Sequence, residues 1–250
     1  MDRNPPALSL QVCFSPLSWP LFNASNSLVI VTDIFRASTS ICAALHNGVE
    51  AIIPVEHISE SREWKKKGFI IAGERDGKTL DCADFGNSPM NFMIPRLQGE
   101  IVVMNTTNGT RAIRRAAVNG HAVAIGSFIN LDAVCSYAMA QNRDVVVLCA
   151  GWKDRFCLED TLFAGALVSR IMQQGQGAYT VSCDSATASM ELWAQAEGDL
   201  PASIEKAAHR HRLKKMGLDD VIPFCLTLDL SEVVPVLRGD RLVSHLSLSQ

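Results

Sequence analysis

The 250-residue chain lacks most of the features that would set it apart from ordinary globular proteins. No C-x-x-C pair occurs among its eight cysteines, which excludes a zinc site of the usual spacing. The cysteines are scattered, with Cys42, Cys135, Cys149 and Cys183 inside apolar or helical segments, so reduced thiols acting as small core residues are expected. Long apolar runs are missing. The longest, Asp144 to Ala150, is far too short to span a bilayer, and no membrane association is expected. An excess of positive charge is missing too: 23 Lys and Arg against 26 Asp and Glu leave a net charge of −3. No nucleic-acid face or basic membrane face is expected from that balance. There is no low-complexity linker and no clear internal repeat, which points to one domain over 1–250. Pro5 and Pro6 interrupt the start, where a secretory leader would be continuous and apolar, so a cytoplasmic location is expected.

What is present is an alternation of short apolar runs with helical patterns. Leu8–Phe14, the run ending at Asp33, Ala51–Val55, Phe69–Ala72, 101–105, 121–125 and 144–149 read as strands. Ser38–Asn47, Ser59–Lys67, 108–119, 130–142 and Leu158–Gln174 read as helices, and Ser182–Met216 as helical with breaks near Gly198 and Pro201. Short strands near Phe224–Leu228 and Val233–Leu237 are expected to close the fold. The polar stretch Asp76–Pro95 has no period and reads as a functional loop with a short helix near Ser88. Alternation of this kind predicts an α/β fold, three layers deep, around a largely parallel or mixed sheet. The strands are apolar on both faces, as burial between two helix layers requires.

Two strands run directly into polar, helix-opening turns: Leu28-Val-Ile-Val-Thr-Asp33-Ile-Phe-Arg36-Ala-Ser38-Thr39 and Ile101-Val-Val-Met-Asn105-Thr106-Thr107-Asn108-Gly109-Thr110-Arg111. Such turns aim backbone N–H groups and a helix N-terminus at one place, the standard situation for phosphate. Hydroxyls at Ser38, Thr39, Thr106, Thr107 and Thr110, with Asn108, Gly109 and Arg36, are the candidate phosphate binders. For any one turn, helix capping is the competing explanation. The set as a whole belongs on the rim where ligands of parallel sheets bind, at the carboxyl ends of the strands.

Carboxylates define the chemistry. Asp33, Glu74, Asp84, Glu159 and Asp160 stand at strand ends or loop–helix junctions. Acids around a phosphate make sense when a hard cation such as Mg²⁺ lies between them. Two other phosphatase patterns fit less well. Cys149-Ala-Gly-Trp-Lys-Asp-Arg155 has C-x5-R spacing, which would make Cys149 a thiolate nucleophile and Arg155 its clamp, but Asp154 would repel the phosphate. Asp33 also stands where aspartyl-phosphate enzymes carry their nucleophile, yet the acid two residues on is replaced by Phe35. Lys65-Lys66-Lys67 reads as a solvated helix end. His209-Arg-His-Arg212 reads as a charged helix face that could overhang an anionic substrate. None of the six histidines has a metal-ligand spacing with an acid at i+4.

Taken in order, Asp33-Ile-Phe-Arg36-Ala-Ser-Thr39, Ala72-Gly-Glu74-Arg75, Asp84-Phe-Gly-Asn87-Ser-Pro89, Thr106-Thr-Asn-Gly-Thr-Arg111, Cys149-Ala-Gly151 and Phe156-Cys-Leu-Glu159-Asp160 followed by Ala164-Gly165 resemble the 2-phosphosulfolactate phosphatase family. The likeness covers Val31 to Gly165 and thins in the C-terminal third. It implies a Mg²⁺-dependent phosphatase that releases phosphate from a sulfonated hydroxy acid and leaves sulfolactate, a step toward coenzyme M in some organisms. Asp33, Arg36, Glu74 and Asp160 are then the expected catalytic residues, and Asp33, Glu74, Glu159 and Asp160 the metal ligands. Arg75, Arg111, Asn87 and Ser88 are expected to meet the carboxylate or sulfonate, since a planar guanidinium suits both. Water activated by the cation is the first choice of nucleophile and Asp33 the second. A non-catalytic binder of a phosphorylated or sulfonated metabolite is the other class of reading. Cys82-Ala83, where the family pattern leads one to expect Gly-Phe, is a local departure that bears on substrate identity. A small phosphorylated molecule is the expected partner, and a homodimer the default assembly.

Overall fold

The structure, a computed structural model, describes residues 6–22, 26–118 and 121–248. Pro5 and residue 119, the expected end of one helix, lie outside these. In chain order the elements are β1 (Leu8–Cys13), β2 (Leu28–Thr32), α1 (Ala37–His46), β3 (Ala51–Val55), α2 (Ile58–Lys66), β4 (Ile70–Arg75), β5 (Lys78–Thr79), β6 (Ile101–Asn105), α3 (Gly109–Ala117), β7 (Ala122–Ile125), α4 (Leu131–Ala140), β8 (Val145–Cys149), α5 (Leu158–Gln174), β9 (Tyr179–Val181), α6 (Asp184–Ala196), α7 (Leu200–Ile204), α8 (Ala208–Lys215), α9 (Ile222–Cys225), β10 (Pro235–Arg238) and β11 (Arg241–Ser244).

The eleven strands form one mixed sheet in the order β5-β4-β6-β3-β11-β10-β7-β2-β8-β1-β9. Two parallel blocks, β4-β6-β3 and β7-β2-β8-β1-β9, are joined by the antiparallel β10–β11 hairpin. Val236 pairs with Ala124 on one side and Leu242 with Ile52 on the other, so the C-terminal hairpin covers two edges that would otherwise be open.

Alternation along the strands sends side chains to two cores. Val29 and Val31 pack with Ile41 and Ala44 of α1 and with Ala112 and Ile113 of α3. Leu28 and Ile30 point the other way, toward Val134 of α4, Phe163 and Leu167 of α5 and Trp193 of α6. The result is the expected three-layer α/β fold. Helix α5 lies against α6 at very short range: a Cβ on Gly165 would stand 2.0 Å from the Ser189 carbonyl oxygen, so only glycine fits. All eight cysteines are free, and six of them are buried. No helix among the described residues is long and apolar enough to cross a membrane.

One expected strand is corrected. The segment around Phe224–Leu228 is not extended; Ile222–Cys225 is a short helix with Pro223 in its first turn, where proline's fixed φ and missing N–H suit a helix start. The sheet is closed a few residues later by the β10–β11 hairpin, whose first strand overlaps the expected Val233–Leu237. The loop after β5 does carry a short 3-10 turn at Pro89–Phe92.

Candidate active site

The carboxyl ends of β2, β6 and β8 deliver the N-termini of α1, α3 and α5 to one rim. Asp33 follows β2 directly, and the turn to α1 contains a cis peptide between Phe35 and Arg36. The Asp33 N–H donates to Ser38 Oγ at 2.8 Å, folding this turn back onto the helix. Gly109, the first residue of α3, comes in beside it. A Cβ there would lie 2.5 Å from Ala37 Cβ and 2.8 Å from Asp33 Oδ2. From the start of α5, Asp160 reaches back to accept the Ile34 N–H (2.9 Å) and the Gly151 N–H (3.0 Å). It ties α5 to both the Asp33 turn and the loop after β8.

Between these turns lies a narrow pocket of about 20 Å³, room for roughly one water. Asp33, Arg36, Glu74, Asn87 and Asn108 line it, together with Trp152, His209 and Leu213. Asp33, Arg36, Glu74, Glu159, Asp160 and His209 are all buried, which gathers four carboxylates against one guanidinium and one imidazole. The consequences are visible in the acids. Loss of water on burial pushes Asp33 up to about 6, opposed by His209 and reinforced by Glu74 and Glu159. Burial, then Glu159 and Asp33, raises Asp160 well above the usual range. Burial draws the Arg36 guanidinium below its ordinary value, with Glu74 as the foremost group holding it charged. Among the described residues three oxygens near these turns are buried without a partner, Thr32 Oγ1, Asn87 Oδ1 and Glu159 Oε2. Buried acids and orphaned oxygens of this kind could hold a hard cation.

The expected residues separate into those that reach the pocket and those that build it. Asp33, Arg36, Glu74, Asn87 and Asn108 reach it. The hydroxyls are spent inside the protein. Ser38 caps the Asp33 turn, and Thr39 Oγ1 bonds the Ile34 carbonyl (3.0 Å) and Ser127 Oγ (2.8 Å). Thr106 and Thr110 cap each other's backbone N–H groups at 3.1 and 3.2 Å. Thr107 serves Glu74, whose carboxylate accepts the Thr107 N–H (2.7 Å), the Thr107 hydroxyl (3.1 Å) and the Gly77 N–H (2.7 Å). Gly109 contributes closeness rather than a side chain.

Arg75 and Arg111 point elsewhere. Arg75 donates to Asn105 Oδ1 (2.7 Å) and the Glu56 carbonyl (3.2 Å), while Arg111 pairs with Asp154 (3.0 Å). Ser88 opens the 3-10 turn after Asn87, whose carbonyl accepts the Ser40 hydroxyl of α1 at 2.6 Å. Asp84 binds Lys65 and the Ile71 N–H, away from the pocket. Ala83 packs with the Trp64 cluster beneath α2, so the Cys82-Ala83 departure also lies off the pocket wall.

Cys149 is fully buried, and burial followed by the nearby Asp160 pushes its thiol far above the ordinary value. That is the reverse of what a thiolate nucleophile needs. Arg155 is exposed, and its backbone closes a turn with Trp152.

Two pocket residues stand outside the expected site, Trp152 and His209. His209 Nδ1 lies 2.7 Å from Glu159 Oε1, a partner 50 residues away. The basic run it belongs to was the only sign, as a face that could overhang an anion.

Buried acids, an arginine and converging helix N-termini at the carboxyl edge of the sheet define the class: an α/β protein with an enclosed polar pocket where its strands end. The pattern of the 2-phosphosulpholactate phosphatase family matches residues 13–240, and the chain belongs to that family of phosphoric monoester hydrolases. A probable 2-phosphosulfolactate phosphatase of Thermotoga maritima is 36% identical over 208 residues, 83% of this chain and 88% of that one. The proteins of the same name in Prochlorococcus marinus and Carboxydothermus hydrogenoformans are 34% identical over 215 residues and 35% identical over 241 residues. These alignments cover 84% of this chain and 88% of the relative, and 94% and 97%, respectively.

Proposed function

We propose that this protein is a Mg²⁺-dependent phosphatase that hydrolyses 2-phosphosulfolactate, or a related phosphorylated 2-hydroxy acid, to the hydroxy acid and phosphate. The observation that carries the reading is the convergence of Asp33, Arg36 and Glu74 in one buried pocket between the N-termini of α1 and α3. The names of the relatives support the substrate.

The donors fit the cation. Asp33 and Glu74 line the pocket as carboxylates, and Asn87 adds a buried carbonyl oxygen with no partner. An all-oxygen set of this kind suits a hard divalent ion. Asp33, Glu74 and Asn87 would hold Mg²⁺ there, and the ion would supply charge neutralisation for phosphate oxygens. Arg36 supplies the pocket's own positive charge, directed at oxygens that gain charge as the ester bond stretches. Asp160 and the Glu74–Thr107 bonds hold the three turns in register. Precise positioning of that sort is where most phosphoryl-transfer catalysis resides.

The reading is tested by phosphate release from 2-phosphosulfolactate, with phospholactate alongside. Faster release from the sulfonate is expected, and excess iodoacetamide should leave turnover unchanged. No release from either compound by folded protein would leave a binder of such metabolites. Release abolished by alkylation would return the chemistry to a thiol.

A further inference from the structure

His209 comes from the part of the chain that carries least of the motif resemblance, yet its ring faces the acids of the pocket. It is buried and lines the pocket together with Asp33. Three neighbours fix the ring. Glu159 Oε1 stands 2.7 Å from Nδ1, the Phe35 ring meets it edge-on at 5.9 Å and 71°, and Trp152 lies at 5.0 Å and 51°. Glu159 is itself fixed, one residue before Asp160 at the start of α5. With Nδ1 held at the carboxylate, Nε2 is the ring nitrogen left for a ligand or water.

A structural tie between α8 and α5 explains the pair only in part. A buried His–Glu pair contributes little net stability compared with apolar packing of the kind that Leu213 and Phe35 provide beside it. A carboxylate that holds one nitrogen of an imidazole lining a pocket is the recurring arrangement of a general base.

We infer that His209 is a catalytic residue of this pocket and Glu159 the residue that positions it, a role that rests on the phosphatase reading. Water attacks phosphorus while its proton passes to Nε2. The bond from phosphorus to the ester oxygen breaks, and the imidazolium returns the proton to that oxygen. Hydroxy acid and hydrogen phosphate leave, and His209 is restored. Of the acids expected to hold the cation, Glu159 is thereby assigned to the imidazole.

The test is steady-state phosphate release from 2-phosphosulfolactate by H209A, H209N and E159Q. Asparagine keeps an amide N–H for Glu159 and lacks Nε2, so H209N guards against a loss that reflects folding alone. Both His209 variants should lose at least about 100-fold in kcat with KM within about 3-fold, the span of a missing general base. Imidazole in the buffer should restore part of the H209A loss, and E159Q should fall between H209N and wild type. Affinity for inorganic phosphate, measured by calorimetry, should stay within about 3-fold of wild type in H209N. Wild-type kcat in H209N, or a loss confined to KM without rescue by imidazole, overturns the role of His209 alone. Wild-type protein that releases no phosphate removes the phosphatase reading and this role with it.

Discussion

Gly109 offers a sharp way to connect geometry with turnover. Alanine is a better helix residue than glycine by about 1 kcal/mol, so G109A at the first position of α3 would be mildly stabilising if space were available. Space is not available. The added carbon would meet Ala37 Cβ at 2.5 Å and Asp33 Oδ2 at 2.8 Å, against an ordinary carbon–carbon contact of about 3.5–4.0 Å. Neither neighbour is the loose end of a long side chain: Ala37 opens α1, and Asp33 is held through its backbone by Ser38. The N-terminus of α3 must therefore withdraw from the Asp33 turn by about 1 Å. Overpacking of this kind costs about 1–3 kcal/mol. A displacement of about 1 Å at a reacting centre costs on the order of 100-fold in rate. The expected result is a kcat/KM lower by about 100-fold in phosphate release, with a urea midpoint that falls only modestly. Gly198 supplies the control, because a Cβ there meets nothing within 4 Å, and G198A should leave both quantities near wild type. A G109A protein that is stabilised and fully active would refute the reasoning, since the close approach of α3 to Asp33 would then be unimportant.

Two further outcomes follow from the same pocket. Asp33 has a folded-state value of about 6, above the roughly 3.9 of an unfolded chain, so its stabilising contribution is present below about pH 4 and is lost as pH rises through about 6. In EDTA-treated protein, wild type should lose stability relative to D33N across that window in urea titrations, and parallel pH curves would contradict the burial argument. Glu74→Ala removes a buried carboxylate that accepts three hydrogen bonds and strands the N–H groups of Thr107 and Gly77. It should cost about 3–5 kcal/mol, roughly 10 °C in Tm for a chain of this size, and an unchanged Tm by calorimetry would show that the 105–108 turn is held by other means.

Much of this architecture is legible in the sequence because its signals are local. The helix at Leu158–Gln174 and the strand at Ala51–Val55 have the boundaries that their patterns predict, and the polar turns after the strands fall on one rim as parallel pairing requires. What could not be read is non-local. Nothing within Pro235–Ser244 says that this hairpin inserts between β7 and β3, since that placement depends on edges formed about 110 and 190 residues earlier. The hydroxyls of Thr106 and Thr110 have the right chemistry for phosphate, but the helix start has first claim on them, and the structure shows that claim taken up. The Arg75 and Arg111 guanidinium groups are likewise held by Asn105 and Asp154, partners that a linear pattern does not reveal. His209 and Glu159 meet across 50 residues, so only the fold discloses the pair.

The central claim is that Asp33 and its neighbouring oxygens hold a divalent cation on which phosphate release depends. It is tested most directly by assaying 2-phosphosulfolactate hydrolysis in wild type and D33N after EDTA treatment, with Mg²⁺ then added back in steps. The account predicts activity lost on chelation and regained with Mg²⁺ in the wild type, and absent at every Mg²⁺ concentration in D33N. Turnover that survives EDTA, or a D33N enzyme that responds to Mg²⁺ like the wild type, would contradict it.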